Sequence, residues 1–480
     1  MVEGMLTSDK VCNGLFVVCV KTTGIYCLPT CRPSRLPKPE NVEFAVSPEE
    51  ARAMGYRARK LCKPDDFYRG HHPEEVLIEG LAADAARDPG AHRSVNALAD
   101  AAGISLSRLH RLFRAHYHTT PADFLARLRV TAAQRLLLGT GRQIGEIAYE
   151  VGFESLSAFN ENFQRYAALS PLKYRGMLSQ PCFDLSLPAG YPTASVLKFL
   201  GRDPKSLSER VSGQTYTTAF RVGSAAQEET CVLVEIELTA EAAHCRLRPQ
   251  SALSPAMLQQ THESLLKTLG LSYDIARFEK HIQRAAEFSL LAAEQTGLRV
   301  PLIADPFDGI AWAIIGQQIN LAFAYTLRRR LMEKVCVRAG GDVYELPSAA
   351  AVAGLEPRDL TALQFSNAKA EYLIGAARLV TMGQLSSVSL GRMSAEHIER
   401  DLMNVRGIGP WSAHYIMMRC LGFMDCLPIG DTGLTTGLKR VFSLAERPGK
   451  AETIALMRRF SPYRTLATFH LWHSLSSTGE

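Results

Sequence analysis

The chain has 480 residues, 46% hydrophobic and 21% charged, with a formal net charge of +6; that is about three domains' worth at roughly 150 residues each. The composition excludes a wholly disordered or collagen-like chain. No apolar run approaches the ~20 residues that span a bilayer, the N-terminus MVEGMLTSDK lacks a signal-peptide pattern, and 11 cysteines, an odd number, favour free thiols or a metal site over a disulfide framework.

Five of the cysteines fall within the first 62 residues: Cys12, Cys19, Cys27, Cys31 and Cys62. Phe16 to Val20 is β-branched and aromatic and predicts a strand, with Gly24 as the following turn. Cys27-Leu28-Pro29-Thr30-Cys31 is a CxxxC. The run SPEEARAMG predicts a short helix with Ser47 as N-cap and Glu50 at the capping-box position. Structural zinc takes four ligands, usually two close pairs; here the first pair is present and the second, at Cys62, has one member. Turn formers predict a linker around Phe67 to Pro73.

Three pieces of this segment, Thr22 to Arg32, Asn41 to Phe44 and Gly55 to Cys62, resemble the N-terminal domain of Ada-type DNA-repair proteins. The resemblance implies zinc held by four cysteines, and Cys27 as acceptor of a methyl group from a DNA methylphosphotriester. The third cysteine of that family falls on Arg59, and arginine has no lone pair to give a metal. Cys27, Cys31 and Cys62 remain. Two readings stay open: zinc kept by three thiolates with water, a nearby histidine or Cys19, or a domain held by packing alone that has lost metal and methyl acceptance.

The next segment is helical. Leu77, Ile78, Leu81, Ala82 and Ala85 recur at helical spacing. Residues 91–180 carry 11 Lys/Arg against 6 Asp/Glu. Val95 to Phe113 and Ile144 to Phe163 each read as a helix, a glycine turn (Gly103, Gly152) and a second helix after a serine cap, the helix-turn-helix pattern. The exposed N-terminal side chains of each second helix are the candidates to read base edges: Ser107, Arg108 and Arg111, then Ser155, Ser157, Asn160 and Asn162. Arg114, Arg165 and Lys173 suit phosphate contacts. The tandem units, a joining helix about Pro121 to Leu138, and the ending Phe163-Gln164-Arg165-Tyr166 with Ser170 to Arg175 resemble the AraC-type DNA-binding domain. A second linker is predicted around Ser179 to Pro181.

Residues 183–250 alternate like strands, and from about Pro255 the pattern is helical to the end. Val405-Arg406-Gly407-Ile408-Gly409-Pro410-Trp411 places two glycines one residue apart, which suits a tight hairpin whose amides approach a phosphate. An apolar helix is predicted from Tyr415 to Phe423, and Asp431 follows. With Ile315 to Ile319, Leu427 to Asp431, Pro462 to Arg464 and Phe469 to Trp472, the stretch resembles AlkA-type 3-methyladenine DNA glycosylases of the helix-hairpin-helix superfamily.

That resemblance implies a mechanism. The damaged nucleotide is flipped out of the duplex, and Gln318 wedges into the gap. Trp411, Tyr415 and Trp472 wall the base pocket, and rings there can hold a cationic base. Asp431 stabilises the cationic sugar or activates water. Backbone carbonyls of Met403, Val405 and Ile408 hold a monovalent cation beside a DNA phosphate. Bifunctional relatives carry a lysine where this chain has Trp411, so the resemblance implies a monofunctional enzyme. Pro181-Cys182 is followed by Phe183 and Asp184, not by the His-Arg of a methylguanine methyltransferase, and that activity is not expected.

The chain is therefore expected to be multidomain and mainly α with α+β parts: a small Ada-like zinc-type domain (1–70), an AraC-type double helix-turn-helix (73–178), a strand-rich AlkA-type N-terminal subdomain (181–268) and an all-α helix-hairpin-helix glycosylase domain (269–480). The expected function is excision of alkylated bases, fused to a DNA-binding regulator of the alkylation response. The alternative is mainly a methylation-sensing activator. Expected partners are double-stranded DNA, damaged and promoter, and RNA polymerase, with no membrane and no organic cofactor. The expected location is cytoplasmic and nucleoid-associated.

Overall fold

Alternation along Val17–Val20 decides how the N-terminal domain distributes its cysteines. In the computed structural model, which describes residues 1–7, 12–31, 37–60, 62–70, 72–224, 227–284, 288, 291, 296–385, 390 and 393–476, four strands form one sheet. Arg32 and Leu61 of the N-terminal motif and His71 of the first predicted linker lie outside the described residues. The strands are β1 (Val17–Val20), β2 (Ile25–Cys27), β3 (Val42–Ala45) and β4 (Arg57–Ala58), in the order β3-β1-β2-β4. Successive side chains point to opposite faces. Val18 and Cys27 enter one cluster, and Cys19 and Tyr26 the other. The expected cap is present: Ser47 Oγ accepts from the Glu50 amide at 3.3 Å and the Glu50 carboxylate accepts from the Val46 amide at 2.6 Å.

Seven helices follow between Pro73 and Gly176. The two predicted units are Val95–Ala101 with Leu106–His116, and Ile144–Glu150 with Leu156–Ala167, bridged by Pro121–Gly139. Gly103 (φ 60°) and Gly152 (φ 101°) sit in the left-handed conformation at the turns, which costs glycine least. Ile78, Leu98, Leu109, Leu112 and Phe113 fill a core under the first unit.

The second unit has no separate core. Ile147, Phe159, Phe163 and Tyr174 pack in one cluster with Leu185, Val196, Tyr216, Val234 and Leu265 of the strand-rich region. The predicted linker at Ser179 to Pro181 thus connects two halves of a shared interior. Hydrogen bonds stitch them, from the Ser186 amide to the Ala168 carbonyl at 2.8 Å and between His262 Nε2 and the Ala167 carbonyl at 2.8 Å.

The strand-rich region is an antiparallel sheet of β5 (Cys182–Ser186), β6 (Glu209–Ser212), β7 (Thr215–Ser224), β8 (Gln227–Leu238) and β9 (Ala242–Pro249), in the order β5-β9-β8-β7-β6. Three expectations are corrected here. A helix, Thr193–Leu200, interrupts the predicted strands, because Val196, Leu197 and Leu200 bury at helical spacing. A two-stranded hairpin, Arg338–Gly340 with Val343–Tyr344, interrupts the predicted helices. The helix expected over Tyr415 to Phe423 runs instead from Pro410 to Arg419; Gly422 (φ 74°) turns the chain and the Phe423 amide folds back to the Met417 carbonyl at 3.1 Å.

The C-terminal helices surround two cores. One holds Ile310, Ile314, Leu373, Ile398, Leu402 and Ile416; the other holds Phe278, Leu434, Leu438, Phe460 and Leu471. Trp472 packs against both, so the boundary between them lies at the predicted base pocket. Among the described residues no helix is long and apolar enough to cross a membrane.

Candidate active site and DNA interface

Asp431 is the N-cap of the helix Thr432–Val441. Its Oδ1 accepts from the Leu434 amide at 2.7 Å and from Trp472 Nε1 at 2.8 Å, and its Oδ2 accepts from Trp411 Nε1 at 3.0 Å. The cap uses the ordinary preference of aspartate for unpaired N-terminal amides, and the helix dipole places partial positive charge beside the carboxylate. The two indoles then fix its rotation. Asp431, Trp411, Tyr415 and Trp472 come together as expected; the indole donors to the carboxylate were not.

Trp411 and Tyr415 stack with centroids 5.2 Å apart, and Tyr415 lies 6.3 Å from Trp472. At that spacing no base fits between Trp411 and Tyr415, so a ligand meets the outer faces of the group. A groove of about 1780 Å³ opens onto them. Trp312 and Tyr325, stacked at 5.1 Å, form a further aromatic wall that sequence reasoning missed.

The expected hairpin joins the helix Ala395–Met403 to Pro410–Arg419. Gly407 has φ 91°, and a Cβ there would stand 2.2 Å from the Tyr372 ring. Gly409 has nothing within 4 Å of its missing Cβ, which leaves its backbone open to an approaching group. Gln317 Nε2 donates to the Gly407 carbonyl at 2.8 Å and to Ser412 Oγ at 3.0 Å. It ties the hairpin to the next turn, where Gln318 stands exposed on the groove rim at φ 55°. Val405 and Ile408 are buried and Met403 is exposed; the Val405 carbonyl accepts from the Ile408 amide at 2.9 Å.

Of the helix-turn-helix candidates, Ser107, Arg108, Arg111, Ser155, Ser157 and Asn160 are all exposed. Three have partners that the sequence did not announce. Arg108 and Arg111 both pair with Glu74, at 3.3 and 2.8 Å, and Ser155 Oγ caps its helix by accepting from the Ala158 amide at 3.1 Å. Asn162 turns inward to the Ala158 carbonyl at 2.8 Å. Arg165 pairs with Asp274 at 3.0 Å. Arg114 and Lys173 are exposed.

The helix Pro73–Arg87 and the second helix of the first helix-turn-helix unit are clamped to the helix Ala395–Met403 that leads into the hairpin. Glu75 receives Arg400 at 2.9 Å, Glu79 faces His397 at 3.0 Å and accepts the Ser394 amide at 2.6 Å, and His116 meets Glu396 at 2.7 Å. His118 Nδ1 accepts from the Asp425 amide at 3.1 Å and lines the groove. Burial opposes ionisation of Asp425, but hydrogen bonds from Arg464 at 2.7 and 2.9 Å and its charge prevail and hold the carboxyl below its usual range.

In the N-terminal domain Cys27 belongs to a hydrophobic cluster with Phe16, Val18 and Val42, and Cys31 and Cys62 pack against it. The neighbouring Cys27 and Cys62 thiols hold the Cys31 thiol below its usual range against its burial, with the Arg59 charge adding to the effect. Cys31 and Cys62, then burial, push the Cys27 thiol up. Thiolates are the soft donors zinc takes, but among the described residues the group brought to metal-ligand spacing is Glu75, Glu79 and His397, and the three cysteines are not in it. Cys19, one of the expected substitutes for the missing cysteine, is on the other face of the sheet among Val17, Tyr26, Ala45 and Ala51.

Comparison with known proteins places each region. Residues 1–65 match the metal binding domain of Ada, residues 98–177 a helix-turn-helix domain, and residues 311–462 the HhH-GPD superfamily of base excision DNA repair proteins. A DNA-3-methyladenine glycosylase of Bacillus subtilis is 36% identical over 208 residues, which are 43% of this chain and 69% of that protein. A probable bifunctional transcriptional activator/DNA repair enzyme AlkA of Mycobacterium tuberculosis is 27% identical over 500 residues, spanning 98% of this chain and 95% of its own. The 3-methyladenine DNA glycosylase of Archaeoglobus fulgidus shares the fold, with a TM-score of 0.51 and 19% identity over 60% of this chain and 97% of that one.

Proposed function

The chain belongs to the family of DNA-3-methyladenine glycosylases, and from that premise we propose that it excises alkylated bases from duplex DNA by hydrolysing the N-glycosidic bond. The observation that carries this reading is the Asp431 carboxylate, held by a helix N-terminus and two tryptophan donors at the wall of an aromatic groove. The glycosidic bond is inaccessible within the stack, so the nucleotide is flipped before reaction. Gln318, exposed on the rim, fills the gap, and the Gly407–Gly409 backbone receives a phosphate of the same strand. Carbonyls of Met403, Val405 and Ile408 offer hard oxygen donors for a monovalent cation there.

An alkylated base is electron-poor, often cationic. An aromatic face attracts a cation by about 0.5–2 kcal/mol, which favours such bases over undamaged ones. As the bond breaks, positive charge develops on the sugar. A carboxylate already oriented toward that charge stabilises the transition state without reorganising. The indole donors keep Asp431 from rotating away. Trp411 occupies the place of a lysine nucleophile, so the product is an intact abasic site.

The test is Asp431→Asn. Asparagine caps a helix about as well as aspartate, so folding and binding to abasic DNA persist while release of 3-methyladenine falls by at least about 10²-fold. Release at the wild-type rate would sink the assignment.

The N-terminal half is a DNA-binding regulator fused to this enzyme. Its proposed partners are promoter DNA and RNA polymerase, and Cys27 is its proposed methyl acceptor. A reading in which regulation is primary and the glycosylase secondary is not favoured, because the carboxylate, its donors and the hairpin are all assembled.

A further inference from the structure

The loop that delivers Asp431 to the groove is pinned at its start by a side chain from the regulator half of the molecule. We propose that His118, in the turn after the second helix of the first helix-turn-helix unit, is a positioning residue for base excision, a role that rests on the reading of Asp431 as the glycosylase carboxylate. It holds the loop of residues 425–431, and through it the carboxylate, in the reactive place.

The loop is fixed rung by rung between the Gly422 turn and the N-cap of Thr432–Val441. The Asp425 amide donates to His118 Nδ1 at 3.1 Å, the Cys426 amide to Thr465 Oγ1 at 3.1 Å and the Leu427 amide to His414 Nδ1 at 3.3 Å. The Asp431 amide then closes on the Pro428 carbonyl at 3.2 Å. Asp425 is also the joint to Trp472. Its carboxylate receives Arg464 Nε at 2.7 Å and a second guanidinium nitrogen at 2.9 Å, and Arg464 opens the helix Arg464–Ser476 that carries Trp472. Asp431 and Trp472, whose 2.8 Å bond orients the carboxylate, therefore both hang from Asp425.

Of these rungs, His118 is the one that comes from outside the glycosylase region. It stands two residues past the end of Leu106–His116, in left-handed backbone at φ 51°, which is uncommon for a residue with a Cβ. Such a conformation persists where the surroundings over-determine it. Here His116 meets Glu396 at 2.7 Å, and the His118 ring stands edge-on to Phe423 with centroids 5.3 Å apart. An imidazole that accepts at Nδ1 carries its proton on Nε2, which makes it a neutral partner for a backbone amide. The helix that ends there begins at the candidate base readers Ser107 and Arg108, so the regulator half reaches the catalytic loop through its own recognition helix.

Two substitutions in the full-length chain separate the bond from the packing. His118→Phe keeps a ring against Phe423 and removes the acceptor. His118→Asn removes the ring, offers a carbonyl oxygen to the Asp425 amide and tolerates the left-handed backbone. His118→Phe is expected to slow single-turnover release of 3-methyladenine about 3- to 10-fold and to speed hydrogen exchange across residues 425–431 more than across Thr432–Val441. His118→Asn is expected to stay within about two-fold of the wild type, and both variants to bind abasic duplex with unchanged affinity. A wild-type rate in His118→Phe overturns the proposal. So does a rate in His118→Asn as low as in His118→Phe, which makes ring packing the cause, and so does abasic binding lost in both, which makes His118 a DNA contact. Should His118→Phe lose its fold, His118→Asn at the wild-type rate still supports the bond, and His118→Asn at a tenth of that rate or less, on the order of a lost hydrogen bond, overturns it. An unmutated chain that releases no base removes the glycosylase reading and this role with it; one that releases base at the same rate as His118→Phe removes this role alone.

Discussion

Gly433 sits in the first turn of the helix that Asp431 caps. A Cβ there would lie 2.9 Å from Trp472 Cδ1, 3.2 Å from its Nε1 and 3.2 Å from Asp431 Oδ1. In Gly433→Ala the indole therefore shifts, and the 2.8 Å bond from Trp472 Nε1 to Asp431 is lost. A hydrogen bond to a charged group is worth about 1.5–3 kcal/mol. If that energy is expressed in the transition state, single-turnover release of 3-methyladenine slows by roughly 10- to 150-fold. Alanine's preference for the helix, ~0.5–1 kcal/mol, offsets the displacement, so the unfolding temperature moves little. Trp472→Phe keeps a ring and removes the donor, and should show a similar loss. A wild-type rate in either variant would refute the claim that the indole donor orients the carboxylate.

Gly407→Ala meets both a positive φ and the Tyr372 ring; it should cost about 1–3 kcal/mol and weaken binding to abasic duplex, read by thermal unfolding and by fluorescence anisotropy. Arg400→Met leaves Glu75, 7% exposed, without its cation. A loss of about 3 kcal/mol and faster hydrogen exchange across Ala395–Met403 are expected; unchanged exchange would mean that the clamp contributes nothing. His262 and His470 are buried, and burial lowers their pKa values to about 4 and about 3. Both titrate below the unfolded value near 6.5, so the unfolded chain binds more protons and their contribution is complete above pH 6.5. As pH falls from 6.5 toward 4 and 3, stability should drop by up to about 1.4 kcal/mol per pH unit for each. In His262→Phe the slope of unfolding free energy against pH should be shallower, and an unchanged slope would argue against a buried neutral imidazole.

The helices and their caps were legible because their signals are local. Ser47, Ser105 and Ser155 announce helix starts through amides three residues on, and Gly103 and Gly152 announce turns that need a left-handed backbone. The gathering of Asp431 with Trp411, Tyr415 and Trp472 was readable too, but only through the resemblance of whole motifs, since a lone aspartate after a helix is most often just a cap. The Gly422 turn and the Thr193–Leu200 helix were misread because a short apolar run fits a helix or a strand equally well.

What the chain's order of residues determined by itself is the inventory: an aspartate at a helix start, a glycine hairpin, two helix-turn-helix units, and a cysteine set with Arg59 in it. Tertiary structure alone decided the partners. The donors to Asp431 come from 20 and 41 residues away, and the clamp on Glu75 from 325. The face of a strand decided the company of Cys19, which joins Val17 and Tyr26 on the side of the sheet away from Cys27. Local signals survive in sequence because they act within a helical turn. Long-range contacts depend on which faces are buried together, and that is set only when the cores close.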